Sequence, residues 1–132
     1  MTAKERFADL EARWLRDGFT SFSPTDHELF RILDFKHQYT DGGLSGYFYN
    51  RLPDLDDIQA VVALMRRYGL SELAALLGEA AALFSGYSDP DPPTTWEQTC
   101  QNYDPSGRLD ELDGRIRELD NYGLGGTSFA EQ

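Results

Sequence analysis

The sequence predicts an all-α fold, and three observations carry that prediction. Apolar residues recur at intervals of three and four in one stretch after another. Those stretches open on Ser, Thr or Asp and close on Gly, as helices do. No strand-like alternation of useful length and no internal repeat interrupts them. At 132 residues, 40% hydrophobic and 13% aromatic, the chain can bury roughly two thirds of its unfolded surface in one core. The expected architecture is a single-domain bundle of about five to six helices over residues 1–122. A Pro-rich loop at about 85–107 and a flexible tail at 123–132 complete it.

The first helix is written in "KERFADLEARWLRDG", where Phe7, Leu10, Trp14 and Leu15 form the inner stripe and Gly18 ends it. "SPTDHELFRILDFKHQY" follows, capped by Ser23 or Thr25, with Pro24 in the first turn and Leu29, Phe30, Leu33 and His37 facing in. "TDGG" then breaks the pattern. Asp41-Gly42 is expected to close the helix through a left-handed residue. Gly43 and Gly46 would let the next helix start hard against a neighbour, with Phe48 in the core and Tyr47 and Tyr49 partly exposed.

"DLDDIQAVVALMRRYG" is the cleanest helix, with Asp54 or Asp56 as cap and Asp57 near the positive end of the dipole. Its stripe is Ile58, Val61, Val62, Met65 and Tyr68. Arg66 and Arg67 occupy the last turn, and Gly69 ends it. Ser71 is expected to cap the alanine-rich "ELAALLGEAAALF", whose inner face is Leu73, Leu76, Leu77, Ala80, Leu83 and Phe84. The short Gly69-Leu70 link implies an antiparallel pair. From Ser85 to Gly107 four prolines and many polar residues predict a loop, longer than most and with Trp96 and Tyr103 as anchors. A last helix puts Leu109, Leu112, Ile116 and Leu119 on one side.

Twelve Lys and Arg face twenty-three Asp and Glu, a net charge of −11. From Leu52 onward five bases meet fifteen acids, so −10 of that net lies there. Such a field repels nucleic acid and anionic membranes and attracts basic protein surfaces. Direct nucleic-acid binding and membrane association are therefore not expected. No run approaches the ~20 apolar residues of a membrane span, the N-terminus lacks a signal peptide's apolar centre, and Cys100 is the single cysteine. The expectation is a soluble cytoplasmic protein.

The stretch "TDGGLSGYFYNR" fails as a phosphate cradle, because no lysine follows the glycines and no strand precedes them. His27 and His37, ten residues apart, match no zinc spacing. Cys100 sits in the polar loop without a neighbouring histidine to activate it. Carboxylates are so numerous that any two could be named an acid/base pair, which gives the pattern no weight. No metal or cofactor is expected. What remains is the acidic array of Asp54, Asp56, Asp57, Asp89, Asp91, Asp110, Glu111, Asp113, Glu118 and Asp120. On the last helix these lie largely off the apolar stripe, where like charges three or four apart disfavour the helix slightly.

Leu33-Asp34, Gly42-Gly43, the run Tyr47-Phe48-Tyr49-Asn50, Gly69 and the alanine-rich Ala74–Ala82 stand in the order of a known motif. Over about Leu33–Phe84 the chain resembles the C-terminal domain of the bacterial DNA-mimic protein (DMP) family. "RLDELDGRI", Arg108–Ile116, is similar to that family's closing element. It departs from the pattern at Asp41, where Asn is usual, at Leu44, which replaces an aromatic residue, and at Gly46, which replaces Gln. The resemblance implies a helical, acidic, non-enzymatic and often dimeric protein that occupies a partner's DNA-binding surface by imitating the charge of DNA. It equally implies relatives that act as immunity proteins.

The reading is a binding protein, not an enzyme, whose acidic face meets a basic partner, either a DNA-binding protein or a toxin. One alternative is an immunity protein that plugs a toxin's active site through the Ser85–Gly107 loop. The other is a small enzyme using His27, His37 or Cys100.

Overall fold

Helix α1 (Ala3–Asp17) buries Phe7 and Leu10 against α2 (Pro24–Arg51). The computed structural model describes residues 3–90 and 92–120, and the tail expected at 123–132 lies outside them. Gly18, at φ 64°, ends α1 as predicted, its N–H donating to the Trp14 carbonyl at 2.8 Å. Trp14 and Leu15 do not face inward. Leu15 is 70% exposed, because a stripe wide enough for four residues exceeds the narrow contact α1 makes with α2. Trp14 instead rests on Phe30 and Phe19 at the surface.

Ser23 starts α2 with a capping box. Its hydroxyl accepts from the Asp26 N–H at 3.1 Å while the Asp26 carboxylate accepts from the Ser23 N–H at 3.0 Å. Leu29, Ile32, Leu33 and Phe35 carry the buried face, and His37 is exposed, one step off it. The joint lies at Gly43, whose backbone is at φ 66°, ψ −167°; Gly42 has no positive φ. The chain doubles back there. A straight helix would set Phe35 and Tyr47 about 18 Å apart along its axis, yet their ring centroids are 4.8 Å apart at right angles. Asp34 and Arg51 pair across the same reversal at 2.6 Å. α2 is thus two limbs folded on each other, 24–42 and 44–51.

The second limb begins with a cap borrowed from far along the chain. Asp113 Oδ1 accepts the Leu44 N–H at 2.9 Å, and the Tyr39 hydroxyl donates to the Asp113 carbonyl at 3.0 Å. A Cβ at Gly43 would come within 3.1 Å of that carboxylate, so both the positive φ and the close approach call for glycine. Gly46 has open space instead of a neighbour. Tyr47 is buried at 2% exposure, which corrects the expectation that it would be half open.

A 3-10 turn (Leu52–Asp54) leads into α3 (Leu55–Arg67), whose Asp54 cap accepts the Asp57 N–H at 3.1 Å. Gly69, at φ 85°, turns the chain into α4 (Ser71–Leu83). Ser71 is the first residue of that helix and makes no side-chain cap. Leu70 takes the cap position, where its burial in the core outweighs the missing hydroxyl. Buried Ala74, Ala80 and Ala81 keep α4 slim, and Gly78 lies close to Val62 of α3. α4 packs against both α3 and α6 (Arg108–Asp120), and α6 also packs against α2.

The predicted 85–107 loop is only partly a loop. Thr95 caps an eight-residue helix, α5 (Trp96–Tyr103), by accepting the Gln98 N–H at 3.1 Å. Asp104, 8% exposed, then caps α6, its two oxygens accepting the N–H groups of Arg108 and Leu109 at 2.8 and 3.0 Å. A chain of rings ties these parts together: Phe35 to Tyr47, Tyr47 to Phe48, Phe48 stacked on Phe84, and Phe84 stacked on Trp96. No helix among the described residues is long and apolar enough to cross a membrane.

Candidate functional site

The predicted acidic residues separate by what they touch. Asp54, Asp56, Asp89, Asp110 and Glu118 are exposed, and among the described residues none of them forms an ion pair. Two of them accept hydrogen bonds within the fold: one oxygen of Asp54 caps α3, and Asp89 accepts the Tyr87 hydroxyl. Asp110 and Glu118 lie off the buried stripe of Leu109, Leu112 and Ile116, on the outer side of α6. Asp54 and Asp56 stand at the start of α3, a different helix joined to α6 through α4. The eight of the ten carboxylates whose side chains are described therefore stand on more than one element. Asp91 lies outside the described residues, as does the side chain of Asp120.

Three of the acids are engaged internally. Glu111 pairs with Arg108 at 2.7 Å, and that guanidinium also holds Glu79 at 2.9 Å. Hydrogen bonding to Arg108 draws the Glu111 carboxyl below its ordinary range. Asp57 pairs with Arg31 and lies 3.8 Å from Arg51. Asp113, with its side chain 16% exposed, pairs with Arg117 at 3.0 Å while capping the second limb of α2. Asp57 and Asp113 thus hold the fold together, whereas sequence alone assigned both to the acidic face that meets a partner. The nearest arginines in sequence gave no sign that Asp113 reaches a backbone N–H sixty-nine residues away.

Of the two loop anchors, Trp96 lines a cavity and Tyr103 stands behind it. A cavity of about 510 Å³ opens between the end of α2 and the Pro-rich segment. Tyr49, Tyr87, Trp96 and Asp89 line it, with Asn50 and Thr94. Tyr49 is 65% exposed and stands at 90° to Trp96, centroids 6.1 Å apart. Trp96 is held from behind by its stack on Phe84. Tyr87 leans on Tyr103 at 5.4 Å and donates its hydroxyl to Asp89 Oδ1 at 3.3 Å. Burial, then Asp89, push the Tyr87 phenol up, so it stays a neutral donor. Tyr103 supports the cavity without lining it. The helical step of ~100° already turns Tyr49 away from buried Phe48, but Tyr87 carried no sequence signal.

The residues of the enzymatic alternative lie apart. His27 packs on the rings of Phe19 and Phe22, both at 5.4 Å, and His37 faces Glu11 at 3.5 Å on another part of the helix. Burial, then Asp104 and Asp110, push the Cys100 thiol up, away from the nucleophilic thiolate. Among the described residues no group of three or more His, Cys, Asp and Glu converges on a point where a metal could bind.

A model of the family described as DMP19-like protein matches residues 20–127, from the turn before α2 to beyond α6. Comparison with curated proteins gave no match, and comparison with solved structures gave none.

Proposed function

The chain belongs to the DMP19-like protein family, and on that premise we propose that it is a non-enzymatic acidic binding protein that occupies the basic, nucleic-acid-binding surface of another protein. The family match spans nearly the whole fold and carries the reading. The exposed carboxylates Asp110 and Glu118 on α6 support it, since no arginine neutralises them among the described residues. They stand in for phosphates, and no bond is made or broken. Long-range attraction of this kind acts mainly on association rate and weakens as salt screens it.

The test is capture of partners from the native cell at low salt, elution by a salt step, and competition of the eluted complex by duplex DNA. Affinity is expected to fall about tenfold or more between low and moderate salt, and DNA is expected to displace the protein. An affinity indifferent to both salt and DNA would falsify the reading.

The immunity alternative draws on one observation, the accessible cavity around Trp96. Under it, loss of the Trp96 ring weakens the complex more than reversal of Asp110 and Glu118 does.

A further inference from the structure

We propose that the cavity walled by Tyr49, Tyr87 and Trp96 and rimmed by Asp89 is a binding site for a single cationic side chain, lysine or arginine, presented by a protein partner. Two of its rings meet at a right angle, Tyr49 on Trp96 at 90°. Perpendicular rings form a corner in which a cation can lie against one π-face while resting on another. Phe84 stacks behind the Trp96 ring, centroids 6.0 Å apart, and supports it from the core side. Tyr87 is fixed by Tyr103 on one side and by its hydrogen bond to Asp89 on the other.

Charge selects the occupant. Among the described residues lining the cavity Asp89 is the charged one, it is exposed, and it forms no ion pair. An apolar guest would gain nothing from that carboxylate, whereas an ammonium or guanidinium places its charge between the carboxylate and the rings. The volume of about 510 Å³ admits a long side chain with its aliphatic stem. Asn50 and Thr94 offer further acceptors for its N–H groups. The net charge of −11 draws the same class of guest from a distance. The cavity thus deepens the proposed function, on which it rests for the source of the cation: the exposed acids gather a basic surface, and the cavity takes hold of one residue on it.

The probes are N-acetyl-arginine amide, N-acetyl-lysine amide and the uncharged isostere N-acetyl-norleucine amide, titrated into the whole protein. The readout is the NMR signal of the Trp96 indole N–H, assigned with Trp96→Phe. A saturable shift is expected with arginine and lysine but not with norleucine. Tyr49→Ala and Asp89→Asn should each weaken it roughly three- to thirtyfold. Both positions are exposed, so these variants fold, which the remaining spectrum verifies. Equal response to norleucine, no saturable shift, or undiminished affinity in Tyr49→Ala overturns the assignment. Glu72→Lys lies in the first turn of α4, exposed and outside both the cavity and the acidic face, and should leave probe affinity within about twofold. A large loss there would mean bulk attraction only and would also overturn it. The two readings fail separately: a complex indifferent to salt and DNA removes the mimic function while a saturating Trp96 shift still stands.

Discussion

Asp113 illustrates how one residue's surroundings change its meaning. In sequence it belongs to an acidic run on the last helix; in space its carboxylate closes the reversal at Gly43. Asp113→Ala is expected to cost about 1–2 kcal/mol in denaturant unfolding, the usual worth of a lost cap. Asp113→Asn, which keeps an acceptor oxygen, should cost less. Gly43→Ala is expected to lose a similar ~1–2 kcal/mol, since alanine is strained at positive φ and its Cβ would crowd the same oxygen. Asp26 gives the pH counterpart. Burial works to raise its carboxyl, but hydrogen bonds from Arg13 and Ser23 outweigh that and leave it below its ordinary range. A lowered folded-state pKa contributes stability above the unfolded value and loses it as pH falls through the folded one. The stability gap between the wild type and Asp26→Asn should therefore be fully present near neutrality and shrink below about pH 4, as read from melts across that window.

At the scale of elements, what could be read in advance was whatever the helix period and its punctuation encode. The stripe Ile58, Val61, Val62, Met65 and Tyr68 is buried as expected, and Gly18 and Gly69 end their helices at positive φ. The reversal inside α2 was legible only as a break, because its geometry depends on Asp113 and on the packing of Phe35 against Tyr47. α5 was hidden for a related reason. Eight residues without an apolar stripe carry little periodic signal, and that helix is held by Trp96 and Tyr103 packing on Phe84. Trp96→Ala should consequently loosen α5 first. Hydrogen exchange of amides 97–103 is expected to accelerate while α3 and α4 keep their protection; uniform acceleration in all helices would contradict this.

For the whole molecule, composition gave the sign of the charge but not its arrangement. Arginines reach across elements to Asp57, Glu28 and Glu79, so part of the acidity is spent within the fold. Exposed carboxylates outside any ion pair among the described residues include those on the outer side of α6, at the start of α3 and at the cavity rim, besides Asp41, Glu72 and Glu97. The double variant Asp110→Lys, Glu118→Lys is expected to change stability by no more than about 0.5 kcal/mol. Its partner affinity should drop at low salt and converge on that of the wild type as salt rises. A double variant that unfolds, or that binds as the wild type does at low salt, would count against the acidic face.

The borrowed cap on the second limb of α2 also has a consequence for biosynthesis. The ribosome makes the bend at Gly43 long before it makes the carboxylate that fastens it, so the N-terminal helices emerge with their hinge unlatched. Force measurements on arrested nascent chains should register a late fastening step once α6 clears the exit tunnel. That step should be diminished when alanine replaces Asp113.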